Sequence, residues 1–324
     1  MSCMQDNLPK PDLKDKKILS ELDKNARQTN SEIAKSVGLN KNTVNYKIQR
    51  MTKEGIITGS YAVIDSSKLG YFSIRTYLKF FNTTQEDEKK MTKWLIENEY
   101  VGVVTKIETI HDLGFIIYVK DIYEWETFLS EFKKRFRKYF WNEKVNIFSR
   151  VYHYRRNYIL GDKKSSEYEI VGGNELAKCD DFDKKILNLL AKDARMSLID
   201  LAQKLKRPER TIAFRIKQLE KKKIIQGYRI SLNLDKIGYD YYKINFVLND
   251  CSNKDQIFEF CQNHINVIFI DETLGNWDFE IDVETKGRQE LLSLINEIKQ
   301  KFDIRETEVI NFKEYLKLET IPNF

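Results

Sequence analysis

The sequence predicts an α+β protein in which a helical unit and a mixed α/β unit alternate, and each occurs twice. The first observation is a repeat, because the stretch Asn40–Gly59 returns as Arg207–Gly227 with matching residues 168 positions apart. The second is that each helical unit precedes short β-branched and aromatic segments separated by amphipathic ones. The length of 324 residues allows two or more domains, each with its own core.

The composition is that of a globular protein, with 41% hydrophobic and 32% charged residues and few prolines and glycines. The net charge of +6 permits nucleic-acid binding but does not require it, so the position of the positive charge matters more than its amount.

The cysteines are spaced in a way that argues against a metal site. Cys3, Cys179, Cys251 and Cys261 contain no Cys-x-x-Cys pair, and scattered thiols are typical of a reducing compartment. No apolar run has the length of a signal peptide or a membrane span. We therefore expect a cytoplasmic protein with no membrane partner and no metal.

The first helical unit contains three short predicted helices. The first covers Leu13–Asn25, and the second begins at Thr29, whose side chain forms a predicted capping box with Glu32. Gly38 ends the second helix, and the third covers Asn40–Lys53. The tight connection between the second and third helices is the spacing of a helix-turn-helix.

One or two strands of a wing are predicted after the third helix, over Ile56–Ile64. The second copy repeats this unit, and Ser197 with Asp200 recreates the capping box. It differs at Pro208, which replaces Asn40 at the start of the third helix and removes a polar group.

Each helical unit is followed by a predicted β-α-β-β-α-β order, which is the ferredoxin-like plan. In the first copy these elements are Tyr71–Phe81, Glu86–Glu97, Val101–Ile110, Leu113–Val119, Tyr123–Phe140 and Val145–Tyr154. In the second copy they are Tyr241–Leu248, Lys254–Asn263, Val267–Leu274, Trp277–Glu284, Gln289–Phe302 and Glu306–Leu318. The polar segment Leu160–Lys178 between the copies is predicted to be a linker.

Short motifs in both copies resemble the Lrp/AsnC (feast/famine) transcription regulators. In the first copy they are Asp15-x-x-Ile18-Leu19, Ala26-Arg27, Glu32-Ile33-Ala34, Thr43-Val44, Gly55-Ile56-Ile57-x-Gly59 and Leu69-Gly70-Tyr71. In the second they are Asp183-x-x-Ile186-Leu187, Ala194-Arg195, Leu201-Ala202, Thr211-Ile212, Arg215-Ile216-x-x-Leu219, Ile224-Ile225-x-Gly227-Tyr228 and Ile237-Gly238-Tyr239. The family pairs a winged-helix DNA-binding domain with an effector-binding, dimer-forming α/β domain, so this chain resembles a tandem duplication.

The resemblance implies five segments. They are winged helix-turn-helix domain 1 (10–65), ferredoxin-like RAM-type domain 1 (66–158), a linker (159–178), winged helix-turn-helix domain 2 (179–233) and ferredoxin-like effector and dimerisation domain 2 (234–324).

In this family the third helix of the winged unit reads DNA. The matching positions predicted to contact DNA are Lys41, Asn42, Thr43, Asn45, Tyr46, Lys47, Arg50, Arg210, Thr211, Arg215 and Lys217. The alternative is a charged helix face that contacts only solvent. Tyr46 and Phe214 are expected to be half-buried in either case, and Lys221–Lys223 is either solvated surface or a phosphate contact.

The family's effector loop lies between the second and third strands of the α/β domain and carries a glycine followed three residues later by an aspartate. The matching second-copy residues are Thr273, Leu274, Gly275 and Asp278. A plain hairpin is the alternative. In the first copy we align Thr109 with Thr273, so that His111 replaces the glycine and Gly114 replaces the aspartate. We expect His111 to be an exposed turn residue.

The implied function is a sequence-specific DNA-binding regulator, modulated by an amino acid or another small ligand at the α/β interface. Its partners would be double-stranded DNA and further copies of the chain, and its two α/β domains would pair within the chain as a pseudo-dimer or between chains. We expect no catalytic residues and no cofactor. An alternative is an enzyme similar to siroheme decarboxylases, which share this fold, but the Tyr-Asn-Leu-Trp-Phe type of segment is absent. A third is a sensing or architectural protein without specific DNA binding.

Overall fold

The helical units and the α/β units form separate layers in a computed structural model that describes residues 10–161 and 167–323. The first copy contains α1 (Leu13–Lys24), α2 (Asn30–Val37), α3 (Lys41–Lys53), β1 (Ile57–Ile64), β2 (Phe72–Phe80), α4 (Gln85–Glu97), β3 (Val101–Ile107), β4 (Leu113–Val119), α5 (Ile122–Phe136) and β5 (Phe140–Tyr154). After β6 (Tyr168–Gly172), the second copy contains α6 (Asp181–Lys192), α7 (Leu198–Leu205), α8 (Glu209–Lys221), β7 (Ile225–Leu232), α9 (Leu234–Ile237), β8 (Asp240–Leu248), α10 (Lys254–Asn263), β9 (Val267–Leu274), β10 (Phe279–Thr285), α11 (Arg288–Lys301) and β11 (Ile304–Leu318).

The predicted helix starts are confirmed by their caps. The Thr29 side chain accepts from the Glu32 backbone N–H, and Asn40 accepts from the Thr43 backbone N–H at the start of α3. At α8 the cap is Pro208, which makes no side-chain hydrogen bond. The recognition helix of the second copy therefore begins without the cap that the first copy has.

The predicted wings differ from the observed structure, because β1 pairs with β7 of the other copy rather than within its own unit. Tyr61 lies opposite Arg229 in this antiparallel ribbon, and these two residues are 168 positions apart. The pair therefore marks a local pseudo-two-fold axis. Sequence alone misses this pairing because nothing local distinguishes a wing hairpin from a ribbon between copies.

Reciprocal contacts around this axis join the two helical units. Arg27 Nη1 donates to the Ala194 carbonyl over 2.6 Å, and Arg195 Nη1 donates to the Ala26 carbonyl over 2.6 Å. Apolar side chains of both units form one continuous core, which includes Ile18, Val44 and Ile212. Both recognition helices are thus part of one packed body.

The two α/β units pair within the chain and close a ring of eight strands. β5 pairs with β2 of its own unit and with β9 of the other. β11 likewise pairs with β8 of its own unit and with β3 of the other. Within each unit the strand order is that of a ferredoxin-like sheet. The predicted fold class is confirmed, and the α/β pairing is seen within one chain.

The segment predicted as a linker, 159–178, contains structure of its own. β6 pairs with the end of β5, so that Val151 lies opposite Val171 and Tyr152 opposite Ile170. The serines at 165 and 166 lie outside the described residues. The polar residues that suggested a linker include Glu169, which is buried in this edge strand and paired with Arg155 and Arg229.

The outer and inner faces of the ring differ in chemistry. α4 and α5 cover an apolar outer face in the first unit, and α10 and α11 cover the equivalent face in the second. The inner face carries buried charged residues, including Arg75, Lys243 and Asp282. Because burying charge is costly unless it is paired, this inner face is a candidate site.

Candidate nucleic-acid interface and effector loop

The recognition helix α3 presents a polar face to solvent and buries an apolar one. Val44 and Met51 are fully buried, whereas Lys41, Asn42 and Asn45 are exposed. The predicted contact residue Thr43 is partly exposed in the first turn. Amide and ammonium groups in this arrangement can reach base edges and phosphates.

The aromatic residues at the middle of both recognition helices are exposed, contrary to expectation. Tyr46 is 65% exposed and its equivalent Phe214 is 59% exposed. Their positions on the helix wheel suggested partial burial, but the helical core leaves them outside. An exposed ring on a recognition helix can make apolar contact with thymine methyl groups.

Two of the predicted DNA-contacting cations on α3 are held by carboxylates of α1 and its cap. Lys47 Nζ lies 2.9 Å from Asp12 and 2.9 Å from Asp15, and Arg50 Nη2 lies 2.6 Å from Asp15. Lys47 is largely buried. The hydrogen bond from Lys47 is the main reason why the pKa of Asp12 falls to about 2. These two cations orient α3 against α1, so they are less available to DNA than the sequence suggested.

Such a contact between a recognition-helix cation and the carboxylates of the first helix of its unit is called a clamp below. The second recognition helix, α8, has one clamp. Arg215 Nη1 lies 2.7 Å from Asp180 and 3.2 Å from Asp183, and a third of its side chain remains exposed. Hydrogen bonds from the Asp183 backbone and from Arg215 lower the pKa of Asp180. The predicted contact residues Arg210, Thr211 and Lys217 are exposed.

Two lysines flank α8 in a backbone conformation that favours glycine. Lys206 has φ of 52° and Lys223 has φ of 56°. The equivalent first-copy residues, 168 positions earlier, are Gly38 with φ of 69° and Gly55 with φ of 69°. Left-handed backbone is unfavourable for a side-chain-bearing residue, so an ammonium group is placed beside α8 at the expense of stability.

The two recognition segments also differ in charge. Residues 204–223 contain nine basic and two acidic side chains, whereas the equivalent residues 36–55 contain four basic and one acidic. Because two of those four are paired with Asp15, the second copy presents the denser free positive surface. Sequence reasoning weighed Lys221–Lys223 after the helix but left out Lys204, Lys206 and Arg207 before it.

The predicted effector loop contacts the other copy of the α/β unit. A Cβ on Gly275 would lie 2.4 Å from the Val145 carbonyl oxygen, so the glycine permits the close approach of β5. The Asn276 side chain donates to the same oxygen over 2.9 Å. Asp278 accepts from the Leu248 backbone N–H over 2.8 Å.

The other two predicted effector residues lie at the end of β9. Thr273 Oγ1 donates to Glu280, and Leu274 is exposed. The polar groups of the loop are therefore engaged by the chain itself.

The strand register corrects the alignment of the first-copy loop. Asp112 accepts from the Phe80 backbone N–H over 2.7 Å, which is the role of Asp278 beside β8. The aspartate is therefore kept in the first copy, and Thr109 rather than His111 replaces the glycine. Thr105 lies opposite Gly114 and Asp271 lies opposite Glu280, so the two hairpins match with a shift of 166, and the assignment of Gly114 was wrong by two residues.

His111 is buried, contrary to the expectation of an exposed turn residue. It is 2% exposed, and its ring stacks on Tyr77 with centroids 5.3 Å apart. Its Nε2 lies 2.9 Å from Glu308, which Lys144 also contacts over 2.6 Å. Burial opposes ionisation of Glu308, but hydrogen bonds from His111 and Lys144 lower its pKa. Ring closure buries the loop, and closure leaves no local signal in the sequence.

Neither a membrane span nor a metal site was found in the described parts of the chain. None of the helices there is long and apolar enough to cross a bilayer. No cluster of three or more His, Cys, Asp or Glu residues in ranges 10–161 and 167–323 is placed to hold a metal ion.

Two kinds of comparison with known proteins agree with this architecture. The winged helix-turn-helix DNA-binding family model matches residues 11–58 and again 180–226. The solved siroheme decarboxylase NirDL superposes on 96% of this chain and 94% of its own with a TM-score of 0.65, at 14% identity. At that identity the likeness shows the shared duplicated fold and no more. The fold and the exposed helix pair define a helix-turn-helix protein with a paired α/β core.

Curated relatives establish the family. An uncharacterized HTH-type transcriptional regulator of Pyrococcus horikoshii is 47% identical over 116 residues, which are 36% of this chain and 68% of the relative. The regulator LrpA of the same organism is 40% identical over 87 residues, which are 25% of this chain and 62% of LrpA. The chain belongs to the Lrp/AsnC family of DNA-binding transcriptional regulators.

Proposed function

We propose that this chain is a sequence-specific regulator in which two unequal recognition helices of one molecule bind one DNA duplex. The observation that carries the proposal is the β1–β7 ribbon with its reciprocal arginine contacts, because it joins α3 and α8 in one body. A symmetric helix-turn-helix dimer meets a palindrome with two identical helices. Here the two helices differ in sequence, so the preferred operator has unlike half-sites.

The two helices would divide the work of binding. The exposed amides of Asn42 and Asn45 suit bidentate contact with adenine, and Lys41 and Thr43 lie in the turn that enters the groove. Tyr46 adds an apolar contact. In the second copy Arg210 suits guanine or phosphate, and Thr211 and Lys217 lie beside it.

Three of the predicted DNA contacts take a positioning role in this proposal. Lys47, Arg50 and Arg215 hold their helices at the correct angle through the carboxylates that they contact. The partly exposed guanidinium groups of Arg50 and Arg215 can still approach a phosphate from that position.

The α/β ring is proposed as the sensing part. A small ligand bound at the interface of the two α/β units would act on the helices through the β1–β7 ribbon that lies over the ring. The amino-acid role of Thr273, Leu274, Gly275 and Asp278 stays a prediction, although each polar group there has an intramolecular partner. Association of further copies of the chain also stays a prediction.

A decarboxylase role receives less support. A tetrapyrrole of the uroporphyrin type carries many carboxylates, and the inner face of the ring places three carboxylates, Asp271, Glu280 and Asp282, around two cations. Adding negative charge there is electrostatically unfavourable. We therefore propose a regulator without catalytic residues or a cofactor.

Selection of genomic DNA fragments by the purified, immobilised protein tests the proposal. We expect a small set of fragments to be enriched over random duplex, with affinity that falls steeply as salt rises. The variant Asn42→Ala with Asn45→Ala should lose the enrichment and stay folded. The matched control Gln85→Ala with Lys89→Ala changes exposed residues of α4 and should keep it. Equal recovery of genomic and random DNA would refute sequence-specific binding.

A further inference from the structure

A large chamber lies between the β1–β7 ribbon and the inner face of the eight-stranded ring. Its volume is about 1130 Å³. One wall is formed by β1 residues such as Tyr61, and the opposite wall by inner-face residues of both α/β units. Ligand pockets commonly have volumes of roughly 300–1,000 Å³, so the chamber is large enough for a small organic molecule.

The chamber wall is lined by aromatic side chains. Tyr315 is 45% exposed, and Tyr61 and Tyr241 are half-buried. Desolvation by surrounding protein nevertheless raises the pKa of all three phenols. Phe312 extends the same wall, with its ring 5.6 Å from Tyr241 and 5.9 Å from Tyr315.

The chamber floor is a cluster of five buried ionisable residues, which we call the floor cluster. Arg75, Lys243, Asp271 and Asp282 line the chamber, and the fully buried Glu280 completes the cluster. Lys243 Nζ lies 2.5 Å from Asp271 and 3.2 Å from Asp282. Arg75 lies 3.2 Å from Asp271 and also contacts Glu280. Two cations thus face three carboxylates, and the cluster has one more acid than base.

The excess of carboxylates over cations in the floor cluster comes entirely from the second copy. In β2 and β8 the two cations occupy equivalent positions, since Arg75 lies opposite Ile116 and Lys243 lies opposite Asp282. The same register places Thr105 opposite Gly114 and Asp271 opposite Glu280. All three carboxylates therefore replace uncharged first-copy residues. Glu280 also accepts hydrogen bonds from Asn146 and Thr273, whereas the cation that contacts Asp282 is Lys243, which Asp271 shares.

Polar atoms at the floor also lack partners within the described residues. The Tyr77 hydroxyl belongs to a side chain that is 1% exposed and lines the chamber, and it has no hydrogen-bond partner there. Arg75 Nε likewise has no hydrogen-bond partner among the described residues. Buried polar groups are normally satisfied by protein, water or a ligand, and the Tyr77 hydroxyl can accept a hydrogen bond from a donor bound in the chamber.

We infer that this chamber binds a small aromatic amine, with its ring among the tyrosines of the wall and its ammonium group against Asp282. The ammonium group supplies the positive charge that the floor cluster lacks, and an aromatic ring matches the flat walls by stacking. The inference deepens the proposed ligand modulation and depends on it only for the regulatory consequence.

The protonation of Asp282 gives the site a measurable signature. Burial raises the pKa of this carboxyl to about 7, against the opposing effect of Lys243. Charged and titratable groups that face it from neighbouring strands are Arg75, Tyr77, Tyr241, Lys243, Asp271 and Tyr315. An ammonium ligand favours the ionised carboxylate, so its affinity should rise as pH increases from 6 to 8.

Calorimetric titration of the full chain without DNA tests the inference. The probes are tyramine, its uncharged analogue p-cresol and its anionic analogue 4-hydroxyphenylacetate. We expect tyramine to bind more tightly than either analogue, by about tenfold or more. The variant Asp282→Asn should reduce tyramine affinity by about ten- to a hundredfold, whereas the control Asp255→Asn, on the exposed face of α10, should not.

Two further readouts keep the inference testable if Asp282→Asn does not fold. Tyr315→Leu should weaken tyramine and p-cresol alike, and the unmodified protein should show the rise of tyramine affinity with pH. Equal binding of the three probes, a flat or falling pH profile, or full affinity in folded Asp282→Asn would overturn the inference. Because no DNA is present, these outcomes are independent of whether the chain recognises an operator.

Discussion

The recognition helices α3 and α8 occupy equivalent positions about the pseudo-two-fold axis but use their positive charge differently. On α3, Lys47 and Arg50 both contact Asp15, which is 1% exposed. On α8, Arg215 is the cation that contacts Asp183, and the Arg215 side chain remains partly exposed. Duplication has kept the clamp in both copies while the charges around it have diverged.

The difference indicates a division of labour between the copies. The first copy keeps a capped helix, with glycines in both flanking turns and short amides in its exposed turns, which suits base recognition. The second copy replaces the cap with proline and both glycines with lysines, which suits phosphate binding. Compared with the first copy, the second copy therefore has a less stable recognition helix and a more positive surface beside it.

The largest expected effect comes from making the second helix like the first. Arg210→Asn with Lys217→Gln installs the residues found at positions 42 and 49. Operator affinity should fall by ~1–3 kcal/mol for each side chain that contacts DNA. The slope of the logarithm of affinity against the logarithm of salt concentration should become less steep by about 2. Fluorescence anisotropy at several salt concentrations measures both.

The reverse exchange is the matched control. Asn42→Arg with Gln49→Lys should steepen the salt dependence and weaken discrimination between operator and random DNA. If both pairs of changes leave the slope unaltered, the charges on these helices do not contact phosphate.

The clamps should differ in their contribution to stability. Asp15→Ala removes the shared partner of Lys47 and Arg50, so the free energy of unfolding should fall by ~2–3 kcal/mol. Asp183→Ala removes a partner of the more exposed Arg215 and should cost ~1 kcal/mol or less. Urea denaturation measures both, and equal losses would contradict the unequal clamps.

The flanking lysines should trade stability against binding. Lys206→Gly and Lys223→Gly relieve left-handed backbone, so each should stabilise the fold by up to ~1 kcal/mol. Each should also weaken DNA binding. Gly38→Lys in the first copy is the reciprocal change and should destabilise the fold. A melting temperature that falls in either lysine-to-glycine variant would argue against strain at these turns.

The smallest effect concerns acid stability. The pKa of Asp12 is lowered from 3.8 to about 2, chiefly by its hydrogen bond from Lys47. A depressed carboxyl pKa stabilises the fold above the unfolded value and loses that effect as pH falls through the folded value. Asp12→Asn should therefore flatten the stability profile between pH 4 and 2, more than Asp180→Asn does. Thermal melts across this range measure the difference.

Local signals in the sequence were sufficient for the helical units and the strand order. The predicted third helix, Asn40–Lys53, differs from α3 by its cap residue alone, and the predicted strand Tyr71–Phe81 contains β2 with one extra residue at each end. Caps, apolar spacing and turn glycines lie within a few residues of the elements that they define, so one chain suffices to find them.

Long-range pairing could not be predicted in the same way. Closure of the ring joins β3 to β11 and β5 to β9, strands that are far apart in the chain, and edge pairing leaves no local period. The burial of His111 and the approach of β5 to Gly275 follow from that closure. The pairing of Lys47 with Asp15 was missed because a charged helix residue was assumed to face solvent.

Selection of preferred operators from random DNA, with the unmodified chain and with Arg210→Asn/Lys217→Gln, tests most directly whether one chain reads one duplex with two unlike helices. We predict two half-sites of different sequence in the first case and loss of preference in one half-site alone in the second. A symmetric palindrome, or a change in both half-sites, would contradict the account.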